Sequence, residues 1–208
     1  MTNIQQIKYS VASFDKYLKE GYENSIESLK ASAPTNTEAE TKQLEYITNN
    51  FITVQTILKT YEPSSQIKNI ISKLPPMDVY IIMENWCGSS ANIVPYAVKM
   101  LNTIAETKIH VVPRDVNEDF MNLYLSDGKK SIPIIIGFDK TGNELFKWGS
   151  ATSVQTEYSK HLQAQKMEFS DFILAMKKWF LEHNEEAIEG DFISVFNELL
   201  LKQNMNYQ

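Results

Sequence analysis

The chain reads as an α/β protein built on a four-stranded mixed sheet in the order βαβαββα, with helices added before it and one after it. Three observations predict this. Up to Leu74 apolar residues recur at steps of three and four, the period of an amphipathic helix, and Pro75-Pro76 ends that texture. Beyond the prolines, β-branched runs of strand length alternate with helical stripes. The only cysteine, Cys87, stands where the first of those strands hands over to a helix.

Taken in order, Ile4, Ile7, Val11, Phe14, Leu18, Tyr22, Ile26 and Leu29 form one helical stripe over 4–29, with Gly21 as a place for a break. The Ser32–Thr37 cluster is a loop ending in a helix cap, and Leu44, Ile47, Phe51, Val54, Leu58 and Tyr61 carry a second long helix that stops before Pro63. A short third helix runs from Ser65 to about Leu74. Strand 78–83, helix 89–105, strand 108–112, helix 116–125, strands 133–138 and 144–148, and a long helix from 153 complete the alternation. The first two strands are joined by a helix, which predicts a parallel pair with a right-handed crossover. Asp139-Lys140-Thr141-Gly142 makes the last two strands a hairpin. Gly190-Asp191 predicts a break, with Asp191 capping a final helix that carries Phe192, Val195, Phe196, Leu199 and Leu200. Met167, Phe169, Phe172, Met176, Trp179 and Phe180 are expected to pack the preceding helix onto the sheet. The organisation is therefore 1–74 helical extension, 75–182 α/β domain and 183–208 helical tail packed on the domain.

Composition narrows the partners. Net charge is −6 and Arg114 is the single arginine, so the forked phosphate and base contacts of nucleic-acid binders are nearly absent; no nucleic-acid partner is expected. The N-terminus has no basic region followed by an apolar stretch, and no window approaches a membrane span, which predicts a cytoplasmic protein with no membrane partner. One cysteine excludes an internal disulfide. His110, His161 and His183 share no metal-ligand spacing with Cys87 or with one another, so no metal and no cofactor are expected.

Cys87 at a helix start faces orphan backbone N–H groups and the positive end of the helix dipole, both of which favour the thiolate. A buried, inert cysteine is the other reading of the same position. Strand, Trp-Cys-Gly at a helix start, Pro95 inside that helix and Ile132-Pro133 opening a later strand together resemble the thioredoxin superfamily, over residues 75–182. The finer pattern, Glu84-Asn85-Trp86-Cys87-Gly88 followed by Arg114-Asp115, Ser131-Ile132-Pro133 and Trp148-Gly149, resembles a small bacterial group of thioredoxin-like proteins with a Glu-x-Trp-Cys-Gly-Asp signature. A thioredoxin fold is what this resemblance implies.

It also implies a site. Cys87 would be the nucleophile and Pro133 a cis proline facing it. The Ile132 backbone would pair with an extended substrate, and Trp148 and Gly149 would form the opposite groove wall; plain packing of the edge strand is the other reading of Trp148. Ser90 stands where thioredoxins carry their second cysteine, so intramolecular dithiol cycling is impossible; its hydroxyl would either donate to the sulfur or bond the first helical turn. Ile81 falls on the position of the buried acid of thioredoxins and cannot do acid–base work. Arg114 would pair with Asp115 or Glu84. The expectation is monothiol thiol–disulfide exchange through a mixed disulfide at Cys87 with a protein or low-molecular-weight thiol partner. The rival is a redox-inactive thioredoxin-like module that binds a peptide or protein. Monothiol glutaredoxins share the Cys-Gly-x-Ser spacing, but their Gly-Gly after the cis-proline strand is absent here.

Overall fold

A computed structural model describes residues 12–32 and 35–205. Its elements are β1 (Ala12–Ser13), α1 (Phe14–Tyr17), a π-helical turn (Leu18–Glu23), α2 (Asn24–Ala31), α3 (Glu38–Thr60), α4 (Ser65–Ile71), β2 (Asp78–Met83), α5 (Gly88–Leu101), β3 (Lys108–Pro113), α6 (Glu118–Asn122), β4 (Ile134–Phe138), β5 (Glu144–Gly149), α7 (Ser153–Ala164) and α8 (Phe169–Met205). The sheet has five strands in the order β1-β3-β2-β4-β5. β2 and β3 are parallel, as the connecting helix requires, and β4 is antiparallel to both β2 and β5.

The fifth strand corrects the four-stranded expectation. Ala12 and Ser13 pair antiparallel with Val111 and His110, on a segment whose three-and-four spacing reads as helix. The Ser13 hydroxyl then caps α1 by accepting from the Lys16 N–H at 3.3 Å. The predicted helix over 4–11 lies outside the described residues. α3 begins on a capping box: Thr37 accepts from the Glu40 N–H, and the Glu40 carboxylate accepts from the Thr37 N–H at 2.7 Å.

Period-two alternation gives the sheet two apolar faces. Val79, Ile81, Met83, Val111 and Ile135 face a core shared with Ile47 and Val54 of α3, Ile93 and Ala97 of α5, and Phe192 and Phe196 of α8. Ile82, Val112, Ile134 and Ile136 face a smaller core closed by Phe120, Met121 and Tyr124, against which Cys87 packs.

The C-terminal region departs from expectation twice. The single helix from 153 is divided, because Lys166 takes φ +50 between α7 and α8. No break occurs at Gly190-Asp191, where α8 runs straight through. A glycine in a helix interior costs about 1 kcal/mol, less than the burial of Ile188, Phe192, Phe196 and Leu199 returns by holding the helix on the core. Asp191, expected as a cap, instead accepts hydrogen bonds from Trp148 Nε1 at 3.0 Å and Ser153 Oγ at 3.2 Å. The first half of α8 packs on α7 and not on the sheet, with Trp179 stacked on Tyr158 and Phe169 exposed.

Candidate functional site

The loop after β2 delivers Cys87 to the start of α5. Cys87 is the helix N-cap residue, half-buried, with its sulfur accepting the Ser90 N–H at 3.5 Å. A 14-residue helix thus directs an unsatisfied N–H and its dipole at the sulfur. On its other side the thiol lies 3.7 Å from the Ile132 carbonyl oxygen, as donor.

The loop itself is held from β3. The Glu84 carbonyl accepts the Cys87 N–H at 3.2 Å, and the Glu84 carboxylate accepts the Asp115 N–H at 2.7 Å. Burial pushes the Glu84 carboxyl above its ordinary range, and the Asp115 N–H bond offsets part of that shift. Of the two partners foreseen for Arg114, Asp115 is the one it pairs with, at 2.7 Å. Its guanidinium also lies over the Trp86 ring, 4.8 Å from the centroid, and donates to the Lys130 carbonyl at 3.3 Å. Trp86 stays 37% exposed beside Cys87.

The Ile132-Pro133 bond is cis. Gly149 backs this loop: it pairs with Ile134 at φ +142, and a Cβ there would sit 2.3 Å from the Pro133 carbonyl oxygen, so only glycine fits. Trp148 pairs with Ile135 and so turns to the other face, buried against α8 and stacked on Phe192 at 5.4 Å. Its ring belongs to the core and not to the groove beside Cys87.

The Ser90 hydroxyl fulfils neither of its expected roles, for it is fully buried without a hydrogen-bond partner; the backbone N–H of Ser90 serves the sulfur instead. Ile81 is buried among apolar side chains. Cys87, Ile132, Pro133, Gly149, Trp86 and the Ser90 backbone are therefore together, while the Trp148 side chain is apart.

Sequence reasoning missed the wall behind the loop. Asn85 Nδ2 donates to the Gly21 carbonyl, and Asn50 Nδ2 to the Asn85 carbonyl at 2.8 Å. These bonds dock the π-helical turn and α3 on the Cys87 loop. Tyr17 and Tyr22, buried edge to face at 5.9 Å, come with them. Burial drives both hydroxyls far above the usual tyrosine range; the Glu84 and Cys87 charges raise them further. Only the place of Tyr22 in the apolar stripe was visible beforehand.

Among the described residues no group of three or more His, Cys, Asp or Glu is placed to hold a metal ion, and no helix is long and apolar enough to cross a membrane.

Comparisons agree with this architecture. No curated protein matches the chain. The crystal structure of a protein of unknown function from Pseudomonas aeruginosa superposes with a TM-score of 0.58 at 10% identity, covering 95% of this chain and 99% of that one. The crystal structure of an HIV epitope scaffold superposes with a TM-score of 0.52 at 12% identity, covering 90% of this chain and 99% of that one. At such identities both speak for the fold alone. A family model described as thioredoxin matches residues 36–165, more than half of the sequence and including Cys87, the cis-proline loop and α3, and the chain belongs to the thioredoxin family.

Proposed function

We propose that the protein carries out monothiol thiol–disulfide exchange at Cys87. The observation that carries this reading is the seat of the sulfur: half-exposed, at the N-cap of α5, receiving the Ser90 N–H and adjoining the Ile132 carbonyl before the cis proline. In the first half-reaction the Cys87 thiolate attacks one sulfur of a substrate disulfide. A Cys87–substrate disulfide forms, the substrate S–S bond breaks, and its other sulfur leaves with the electron pair as thiolate. With Cys87 the chain's single cysteine, an external thiolate must attack the mixed disulfide, releasing Cys87 as thiolate and the substrate as a new disulfide. The Ile132 backbone and the part-exposed Trp86 ring would hold an extended substrate across the sulfur, by β-augmentation on the Ile132 backbone.

The test is incubation of the reduced protein with glutathione disulfide, followed by mass spectrometry and then by addition of reduced glutathione. One glutathionyl adduct on Cys87, its release by the added thiol, and its absence in Cys87→Ser are expected. A wild-type protein that forms no adduct, yet binds extended peptides equally well with or without the cysteine, would establish the redox-inactive binding module instead.

A further inference from the structure

We propose that the N-terminal half of α8 is a docking face for a basic, amphipathic segment of a protein partner, one of whose cationic side chains enters the cleft between this helix and Tyr96 of α5. This face shares no residue with the Cys87 site, so it adds to the exchange reading and does not depend on it.

The apolar part of the face is a continuation of the core. In the second half of α8, Ile188, Phe192 and Leu199 turn inward. Leu181 and Leu174 lie seven and fourteen residues before Ile188, steps that return to nearly the same side of a helix with 3.6 residues per turn. They carry the stripe past the end of the core, where Leu181 is 88% and Leu174 68% exposed. α7 packs on the other side of this half, with Tyr158 stacked on Trp179, and leaves the stripe bare. An apolar stripe of this kind beside charged groups marks an interaction surface.

Beside the stripe lies a cleft of about 430 Å³, a size that accepts a side chain or small group. Tyr96, Phe180 and Leu181 give it apolar walls, and its charged lining is four carboxylates, Glu182, Glu185, Glu186 and Glu189, with His183 beside them and no lysine or arginine. Glu189 is committed to the Tyr61 hydroxyl at 2.7 Å and the Ser64 N–H at 2.8 Å, and Glu182 is shared between Lys178 at 3.8 Å and His183 at 3.9 Å. Glu185 and Glu186 are exposed, without ion pair or hydrogen bond among the described residues.

Asn184 is an observation independent of the acids. It lines the same cleft, is 2% exposed, and donates through Nδ2 to the Asn92 carbonyl of α5, while its buried Oδ1 has no partner. The two amide atoms point apart, so anchoring Nδ2 on α5 turns Oδ1 away from that helix as an acceptor that lacks a donor. A lysine or arginine side chain in the cleft supplies the donor, and the carboxylates and the Tyr96 ring suit its charge. A free amine would leave Leu174 and Leu181 bare. A second copy of this chain would bring the same carboxylates and a net charge of −6, so like charges oppose it. A helix with leucine-type residues on one side and cations beside them meets both features.

The test is binding of a fluorescein-labelled helical leucine–lysine peptide, followed by anisotropy, with a leucine–glutamate peptide and spermidine as comparisons. Two double variants are matched in composition and charge. Leu181→Ala with Glu185→Gln alters the face, and Leu201→Ala with Glu198→Gln alters exposed residues of the same types near the other end of α8. Loss of an apolar contact and a charge pair should raise Kd about tenfold in the first variant, and the second should match wild type. The glutamate peptide should not bind, and spermidine should compete weakly. Equal weakening in both variants would show attraction to the chain's overall acidity and overturn the proposal, as would an absence of saturable binding to wild type. Full competition by spermidine with unchanged affinity in Leu181→Ala alone would make the cleft a small-amine site and overturn it too. So would a wild-type dimer that Leu181→Ala dissociates in analytical ultracentrifugation, which would put a second copy on the face.

Discussion

Gly149→Ala is the sharpest probe of how the sheet edge supports the cis-proline loop. The new methyl would lie 2.3 Å from the Pro133 carbonyl oxygen, 2.8 Å from Ile134 Cδ1 and 3.0 Å from Ile134 Cα, where ordinary contact begins at 3.4 Å. Two of these three neighbours are backbone atoms, which cannot swing aside as a side-chain tip can. Overpacking of this kind costs about 1–3 kcal/mol. The residue also keeps φ +142, a region nearly closed to side chains, at about 1–3 kcal/mol more. The sum is about 2–6 kcal/mol, a fall in thermal midpoint of roughly 4–24 °C for a chain of this length.

Gly128→Ala is the matched control, since Gly128 has φ +73 but nothing within 4 Å of the position a Cβ would take. It bears the conformational cost alone, about 1–2 kcal/mol. Urea unfolding of both variants at equal m value isolates the steric part, and Gly149→Ala should lose the more. The Ile132 carbonyl should also shift away from Cys87, so the alkylation rate of the thiol should change in Gly149→Ala and not in Gly128→Ala. Equal stability losses in the two variants would refute the reasoning.

Two further outcomes follow from the same structure. Burial raises the Glu84 carboxyl above its unfolded value, so the stability this group contributes is fully present below that value, about pH 4.3, and is lost as pH rises through the folded one. Glu84→Gln retains an acceptor for the Asp115 N–H and should gain stability relative to wild type at pH 7 over pH 4 by urea titration; a pH-independent difference would sink this account. Gly190→Ala, inside continuous α8 with open space around a Cβ, should raise stability by about 0.5–1 kcal/mol; a lower thermal midpoint would show that the helix needs glycine there.

What was legible in the sequence was what local pattern encodes. β2 matches its apolar run, α3 begins on the cap that closes the Ser32–Thr37 loop, α4 starts at Ser65 as expected, and Cys87 stands at the helix start because strand and helical periods meet there. β1 was hidden, since a two-residue strand has no period of its own and Val11, Phe14 and Leu18 imposed a helical one. The division at Lys166 was invisible because a lysine in a left-handed conformation carries no turn signature. Gly190 carried a breaker signature that tertiary burial overrode. Of the two readings of Trp148, packing holds and groove wall does not: next to Gly149 in sequence, it points to the opposite face because strand side chains alternate.

The wall behind the site was illegible for a different reason, and it bears on how the site is composed. Gly21 and Asn85 are 64 positions apart, and Asn50 and Asn85 are 35 apart, so no spacing within the 75–182 segment announces them. Within that segment the two positions where thioredoxins would carry an acid and a second thiol are Ile81 and Ser90, one apolar and one a buried, unpartnered hydroxyl. The polar partners of the sulfur in that segment are backbone groups, the Ser90 N–H and the Ile132 carbonyl. The N-terminal extension and α3 support the same loop from behind, where Gly21 of the π-helical turn accepts from Asn85 and Asn50 of α3 bonds the Asn85 carbonyl that precedes Trp86 and Cys87. Removing residues 12–31 would thus withdraw the Gly21 acceptor while leaving the cysteine, the cis proline and α5 in the chain. The support of the loop that bears this thiol is in that sense shared with a part of the sequence lying well before the Trp-Cys-Gly motif.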